Sequence, residues 1–158
     1  MFTVAILVSS DRAYKGIYED KSGVLLKTTL TELGYNVKDL SILPDDFGML
    51  KSKINQYVEE DINLVLTCGG TGFSPRDIIP EVTKSIIERE TPGISEAIRN
   101  KSLEITPKAM LSRATSGIKN KTLIINLPGS TKGAKESLDI ILPALNHGLG
   151  ILLGIEDN

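Results

Sequence analysis

Cysteine, histidine and tryptophan are nearly absent from this sequence of 158 residues, which has one Cys, one His and no Trp. A single cysteine, Cys68, cannot form an internal disulfide bond, and residues 1–4 lack the basic region and cleavage site of a secretory signal. We therefore expect a cytoplasmic protein in a reducing environment. Because Cys68 has neither a second cysteine nor a nearby histidine, we expect it to pack as a small hydrophobic side chain rather than to bind a metal. His147 lies in an apolar helical segment, which favours a structural or surface role.

An excess of positive charge and long apolar runs are also missing. Lys and Arg number 18 against 20 Asp and Glu, the net charge is −2, and only three Phe and four Tyr could stack on bases. This composition argues against nucleic-acid binding. No apolar run reaches the roughly 20 residues that cross a bilayer, so no membrane association is expected. With 41% apolar residues, the chain is expected to form one globular domain over residues 1–158.

The sequence does contain a regular alternation of apolar strand patterns and amphipathic helical patterns. Strands are predicted at 2–9, 37–43 and 62–68, each followed by a helix. This order predicts an α/β fold with a largely parallel sheet and helices on both of its faces. The segments 114–118 and 122–127 predict a hairpin that adds one antiparallel strand. Pro143 should kink the last helix or split it in two, because proline cannot donate a helical hydrogen bond.

A glycine-rich stretch at 67–81 follows the most apolar strand and precedes a helix. Three glycines within four positions let the backbone take positive φ and turn several N–H groups toward one point, where a phosphate could approach. Arg76, a permanent cation, and Asp77, a carboxylate, follow within a few residues. Taken alone, such a short match is equally compatible with an ordinary strand-to-helix turn. The residues of this stretch that we expect to meet a substrate are Gly69, Gly70, Thr71, Gly72, Arg76, Asp77 and Glu81.

Two further loops should reach the same place. The carboxyl ends of parallel strands meet at one edge of a sheet, where ligands bind. Ser10, Asp11 and Arg12 follow the first predicted strand, and Asp45 follows the second. We therefore expect these residues to lie beside the glycine-rich stretch, although Asp11 and Arg12 could instead pair with each other at its rim.

Three motifs occur together in the order and spacing of a known family. They are the glycine-rich stretch, Met-Leu-Ser-Arg at 110–113 and Asn-Leu-Pro-Gly-Ser at 126–130. Over nearly the whole chain the sequence resembles the Mog/MoaB family of molybdenum cofactor biosynthesis. The resemblance implies a three-layer α/β/α domain, usually a trimer, that binds the dithiolene pterin molybdopterin. In the adenylyltransferase branch it implies transfer of AMP from Mg-ATP to molybdopterin with release of pyrophosphate. The metal-insertion protein of the pathway is then a candidate partner.

The resemblance also assigns roles to individual residues. In the family, the aspartates at the positions of Asp45 and Asp77 are catalytic. Mg²⁺ prefers one or two carboxylates together with phosphate oxygens and water, which matches two aspartates placed just past two strands. From position alone, each aspartate could merely close a turn. The residues that the resemblance places around the pterin or along a second edge of the pocket are Ser112, Arg113, Asn126, Pro128, Gly129 and Ser130; without the motif, Ser112 and Arg113 would read as an ordinary polar loop.

Two functions of different classes follow from the resemblance. The preferred one is an ATP-dependent molybdopterin adenylyltransferase, which is a nucleotidyltransferase, because both aspartates are present. The alternative is a MoaB-type protein that binds molybdopterin without adenylylating it. A scaffold domain, like those fused into larger eukaryotic proteins, is a weaker hypothesis because nothing else is fused here.

One residue departs from the family pattern. Ile79 stands where the motif usually has threonine, just before a helix that we predict to begin at Pro80. Isoleucine is among the poorest residues for capping a helix N-terminus and costs about 0.5–2 kcal/mol relative to threonine. We expect Ile79 to be either a weak, exposed cap or a side chain packed beside Val82.

Overall fold

One mixed sheet of six strands forms the centre of the computed structural model, which describes residues 1–156. The strands are β1 (Thr3–Ser9), β2 (Asn36–Leu43), β3 (Leu64–Cys68), β4 (Arg89–Glu90), β5 (Ser116–Lys119) and β6 (Thr122–Leu127), in the spatial order β2-β1-β3-β6-β5-β4. The first four in this order pair in parallel, and β5 and β4 are antiparallel to their neighbours. The predicted α/β class with a largely parallel sheet and one antiparallel strand, β5, is confirmed, since β4 runs in the same direction as the parallel strands.

Helices cover both faces of the sheet and give three layers. They are α1 (Asp11–Tyr14), α2 (Ser22–Glu32), α3 (Phe47–Glu59), α4 (Ile79–Ile86), α5 (Pro92–Leu103), a 3₁₀ helix (Pro107–Leu111) and α6 (Thr131–Leu152). Strand β1 explains the division, because successive side chains of a strand point to opposite faces. Val4 and Ile6 pack with α2, α5 and α6, whereas Ala5 and Leu7 pack with α3 and α4. Both cores are thus built on the buried central strands.

The start of α4 differs from the prediction. The helix begins at Ile79 rather than at Pro80, and the capping position is Ile78, whose side chain makes no capping hydrogen bond. Ile79 is fully buried and packs in the same core as Val82. Its backbone N–H donates to the carbonyl of Gly70 at 3.2 Å. The prediction of a helix starting at Pro80 was therefore wrong by one residue, because Ile79 is buried inside the first turn of α4 and does not stand before it as a cap.

The last helix is not split at Pro143, contrary to one of the two outcomes predicted. α6 runs through this proline as one helix of 22 residues. Its side chains on either side of the proline, Ile141, Leu145 and Leu149, are buried in one core. A proline inside a helix costs about 3 kcal/mol, whereas each buried aliphatic side chain contributes about 1.5–3 kcal/mol. Packing on both sides therefore outweighs the lost hydrogen bond.

The short strand β4 was missed by the sequence patterns. It has two residues, Arg89 and Glu90, both exposed, so it has no apolar alternation to detect. Glu88 N–H and Thr91 N–H extend its pairing to the carbonyls of Ile118 and Ser116. Among residues 1–156, no helix is both long enough and apolar enough to cross a membrane.

Candidate functional site

Four loops meet at the carboxyl edge of the parallel strands, as the sequence predicts for an α/β sheet. They follow β1, β2, β3 and β6, and hydrogen bonds connect them directly: Ser10 N–H donates to Leu43 O at 3.0 Å, and Gly69 N–H donates to Leu127 O at 3.1 Å. Gly69 and Gly70 have φ of +95° and +70°, the region that glycine alone adopts without strain. A methyl group on Gly69 would lie 2.6 Å from Ser9 O. The glycine-rich loop therefore packs against its neighbours with no room for a side chain.

Asp45 lies at the contact between the loops after β1 and β2. Its Oδ1 accepts a hydrogen bond from Ser9 Oγ at 2.6 Å, and its Oδ2 accepts one from the backbone N–H of Asp11 at 3.3 Å. In return, Asp45 N–H donates to Asp11 Oδ1 at 2.9 Å. The two loops thus fix the position of the Asp45 carboxylate, which remains partly exposed. Sequence reasoning did not identify Ser9 as its support.

Asp11 pairs with Arg76 rather than with Arg12. The guanidinium of Arg76 donates two hydrogen bonds to the Asp11 carboxylate, both at 3.0 Å. Arg12 instead lies over the ring of Tyr18. The hydrogen bonds from Arg76, and next the one from Asp45 N–H, lower the pKa of Asp11 to about 2. This ion pair ties the loop after β1 to the residue before Asp77, while Ser10 serves as the N-cap of α1.

Asp77 is positioned within the glycine-rich loop itself. Its Oδ2 accepts a hydrogen bond from Ser74 N–H at 3.0 Å, and its own N–H donates to Ser74 O at 2.9 Å. A side chain on Gly72 would lie 2.9 Å from Asp77 Oδ2. The carboxylate therefore packs over the bare backbone of Gly72, and a side chain at position 72 would displace it.

Arg113 holds the glycine-rich loop in place through hydrogen bonds. Its Nε donates to Gly72 O at 2.8 Å, its Nη2 donates to Asp77 O at 2.7 Å, and its Nη1 pairs with both oxygens of Glu81. Its backbone N–H also donates to Thr71 O at 2.8 Å. Every guanidinium nitrogen of Arg113 is thus hydrogen-bonded within the protein, and the side chain stabilises the conformation of the glycine-rich loop. A direct contact of Arg113 with pterin stays a prediction.

Two further side chains, Asn126 and Arg99, hold the loops in place through hydrogen bonds. Asn126 is fully buried, where it accepts a hydrogen bond from Thr115 N–H and donates to Thr67 Oγ1 and Thr83 Oγ1. It lies in the core rather than on the expected edge of the pocket. Arg99, which sequence reasoning missed, donates to the carbonyls of Ser112 and Ala114 and so holds the segment that contains Ser112.

A cavity of about 320 Å³ opens beside the glycine-rich loop. Its lining residues include Thr71, Gly72, Pro128 and Ser130, together with Ser112, which directly follows the 3₁₀ helix. Gly129 lies against the glycine-rich loop, since a Cβ added to it would be 3.2 Å from Gly69 Cα. The positive end of α6 begins here, with the Ser130 hydroxyl accepting from Gly133 N–H. Glycine-rich backbone and a helix N-terminus together suit a phosphate group.

The chemistry of the two aspartates fits a divalent ion shared with a substrate. Each carboxylate can accept about four hydrogen bonds or metal contacts, and the bonds described above use two sites on Asp45 and one on Asp77. Within residues 1–156 there is no group of three or more His, Cys, Asp or Glu side chains arranged to hold a metal. An ion at this place would therefore take most of its ligands from phosphate and water, as Mg²⁺ commonly does.

Cys68 and His147 lie outside this chemistry. Cys68 is buried, its thiol donates to Pro128 O at 3.2 Å, and burial raises its pKa to about 12. His147 is exposed on α6 and lies 2.9 Å from Glu156. Both placements agree with the structural or surface roles expected for them.

Comparison with known proteins identifies the family. The family model described as "Probable molybdopterin binding domain" matches residues 5–147. A molybdopterin adenylyltransferase of Helicobacter pylori is 42% identical over 154 residues, which cover 96% of this chain and 88% of that protein. Gephyrin of Dictyostelium discoideum is 41% identical over an alignment of 159 residues, which includes 94% of this chain but only 22% of gephyrin. The chain thus spans most of the bacterial relative and about a fifth of the eukaryotic one.

Solved structures give the same result. The molybdopterin biosynthesis enzyme MoaB of Thermus thermophilus superposes with a TM-score of 0.91 at 41% identity, covering 98% of both chains. The tungsten cofactor synthesizing protein MoaB of Pyrococcus furiosus superposes with a TM-score of 0.89 at 32% identity, covering 99% of both chains. Together with the matched motifs, these similarities show that the chain belongs to the Mog/MoaB family of molybdopterin-binding domains.

Proposed function

We propose that this chain is a molybdopterin adenylyltransferase, a nucleotidyltransferase that works as a single molybdopterin-binding domain over residues 1–158. The observation that carries the proposal is the pair of aspartates, Asp45 and Asp77, fixed on two loops that Asp11 and Arg76 join at the glycine-rich loop. The 42% identity to an adenylyltransferase of nearly the same length supports it. In this reaction a phosphate oxygen of molybdopterin attacks the α-phosphorus of ATP, a P–O bond forms, and pyrophosphate leaves with the electrons of the broken bond.

The chain has no need of a protein nucleophile for this transfer, because the difficulty lies in bringing two polyanions together. Gly69 already donates its N–H to Leu127, so we assign the phosphate to the amides that follow it, at Gly70, Thr71 and Gly72, with the hydroxyl of Thr71 close by. Asp45 and Asp77 would hold Mg²⁺, which when bound neutralises phosphate charge and orients the triphosphate. Arg113 and Glu81 keep the loop that carries Asp77 in place. Ser10, Arg12 and Ser112 complete the rim on which the substrates rest.

We further propose that three copies assemble in the cytoplasm. Large apolar side chains are exposed together around the end of α5 and the 3₁₀ helix, where Ile105 is 54% exposed and Met110 is 64% exposed. Contiguous exposed apolar surface commonly marks a protein interface. The metal-insertion protein of the pathway remains a candidate partner for the finished product.

Turnover tests the proposed function directly. The purified protein is incubated with molybdopterin, ATP and Mg²⁺, and pyrophosphate and adenylylated molybdopterin are measured. We expect both products in equal amounts, and only when both substrates and the metal are present. Tight binding of molybdopterin with no pyrophosphate above background would instead show a binding protein without turnover and would refute the proposal.

A further inference from the structure

Ser137 stands out on the wall of the cavity beside the glycine-rich loop. It belongs to α6, it is 1% exposed, and it lines the cavity of about 320 Å³. Its hydroxyl is buried and has no hydrogen-bond partner within the described residues 1–156. A helical serine commonly donates to the carbonyl four residues earlier, but this one does not. Burial of an unpaired hydroxyl is unfavourable for folding. A bound ligand could supply the hydrogen bond that the protein itself does not.

Two other buried side-chain atoms in the described part of the chain lack a partner, and neither lies at this cavity. Asp20 Oδ2 is one, and Thr91 Oγ1 is the other. Thr91 lines a separate cavity between α5 and α6, whose other lining residues include Ile94, Ala97 and Leu145 and are almost all apolar. Ser137 differs because the same cavity contains Thr71 and Gly72. It is the unpaired hydroxyl that shares a space with the proposed phosphate site.

The distance of Ser137 from the start of α6 determines which part of a bound ligand it could contact. It lies six residues after Thr131, the first residue of the helix, which is about 9 Å at 1.5 Å per residue. A ligand with its phosphate at the start of α6 and at the glycine-rich loop would therefore present its far end to Ser137. Apolar side chains of Ile98, Leu111 and Ala114 line the same cavity, and such surfaces suit the faces of a planar ring.

We propose that the Ser137 hydroxyl hydrogen-bonds the edge of an amino-substituted nitrogen heterocycle and so acts as a specificity residue of this pocket. A hydroxyl can donate to a ring nitrogen and accept from an exocyclic amino group, and both kinds of group occur on adenine and on pterin. The inference rests on the proposed function, because ATP and molybdopterin are the substrates that supply these two rings. It adds the residue that recognises the ring.

The experiment compares wild type with Ser137→Ala for binding and for stability. The probes are AMP, 6-hydroxymethylpterin and, as a ligand with a phosphate but no nitrogen heterocycle, ribose 5-phosphate. Kd is measured by calorimetry and Tm by thermal unfolding. We expect Ser137→Ala to weaken binding of AMP or of the pterin by about 2- to 12-fold, the effect of one net hydrogen bond. The weakened probe identifies which ring occupies the pocket. Binding of ribose 5-phosphate should not change.

The stability measurement separates this role from a structural one. Because Ser137 gives up no protein hydrogen bond, the Tm of Ser137→Ala should equal or exceed that of wild type. Thr91→Val removes the other unpaired hydroxyl and should behave alike in Tm while leaving every Kd unchanged. Three results would each overturn the proposal. They are a lower Tm of Ser137→Ala with unchanged Kd values, the same Kd of every probe for Ser137→Ala and wild type, and no binding of AMP or pterin by wild type. A Ser137-dependent Kd in a protein that releases no pyrophosphate would refute only the proposed turnover.

Discussion

Ile79 shows how packing can fix a side chain at the start of a helix. It is fully buried, and its N–H is satisfied by Gly70 O. We therefore predict that Ile79→Thr destabilises the protein by about 2–3 kcal/mol, because it removes buried apolar volume and buries a hydroxyl. Chemical denaturation measures the change. Ile78→Thr is the matched control, since Ile78 is only partly buried at the capping position, and it should cost less. Greater stability of Ile79→Thr would show that position 79 is an exposed cap after all.

The ion pair of Asp11 and Arg76 gives a second prediction at the scale of single residues. The pKa of Asp11 is lowered from 3.8 to about 2, chiefly by the hydrogen bonds from Arg76. Because the pKa is lower in the folded state, the stabilisation is complete above about pH 4 and is lost as the pH falls toward 2. The pair is partly exposed, so the stabilisation itself is small.

An NMR titration of the Asp11 carboxyl measures this effect. In Arg76→Gln the pKa of Asp11 should rise toward its ordinary value, and the Tm difference from wild type should shrink below pH 3. Arg12→Gln is the control and should leave the pKa of Asp11 unaltered, since Arg12 contacts Tyr18. An unchanged pKa of Asp11 in Arg76→Gln would contradict the assigned ion pair.

Among the structural elements, the glycine-rich loop depends most on bare backbone. Gly69 combines a φ of +95° with a site where a Cβ would lie 2.6 Å from Ser9 O, whereas Gly34 has a φ of +89° and open space around it. Both Gly34→Ala and Gly69→Ala should lose about 1–2 kcal/mol from the left-handed backbone. Gly69→Ala should lose more, and its loops should move apart. Thermal unfolding of the two variants, together with pyrophosphate release, checks this. An equal loss of stability in Gly34→Ala and Gly69→Ala would contradict the close approach of Gly69 to Ser9 O.

The elements also show where sequence patterns succeed and where they stop. Strands such as β1 and β3 are predictable because their residues are mostly apolar and nearly all buried. β4 has no such signal, and the continuity of α6 depends on core packing around Pro143 that no local pattern reports. The support that Arg113 gives to the loop could not be predicted either. Its partners Gly72 O and Asp77 O are main-chain carbonyls 41 and 36 residues away. Every residue has such a carbonyl, so the sequence does not indicate which of them Arg113 contacts.

At the scale of the whole molecule, the exposed apolar side chains near the 3₁₀ helix predict self-association. Sedimentation at micromolar concentration should give the mass of three chains. Met110→Lys, at a side chain that is 64% exposed, should weaken the assembly without lowering the Tm of the isolated fold if this surface is the interface. Ile155→Lys is the control, because Ile155 is also exposed, at 71%, but follows α6 and is not part of the 3₁₀-helix segment. A single 17.1 kDa species for the wild-type protein would contradict the proposed trimer.

The central claim is that Asp45 and Asp77 promote adenylyl transfer by holding Mg²⁺ against the triphosphate. Asparagine keeps the shape of each side chain and can still accept the hydrogen bond from Ser9 Oγ at position 45 or from Ser74 N–H at position 77. Asp45→Asn gives up only the longer bond, at 3.3 Å, from Asp11 N–H. We therefore predict that Asp45→Asn and Asp77→Asn lower kcat about 100-fold or more while Tm and molybdopterin binding change little. Asp46→Asn is the matched control, since Asp46 only caps α3 and asparagine caps a helix equally well.

Pyrophosphate release by these three variants and wild type, measured on the same preparations with molybdopterin and Mg-ATP, is the most direct test. The account predicts near-complete loss of turnover for Asp45→Asn and Asp77→Asn and normal turnover for Asp46→Asn. Turnover within about threefold of wild type in both site variants would contradict it, because 1.4 kcal/mol of lost transition-state stabilisation already corresponds to a tenfold loss.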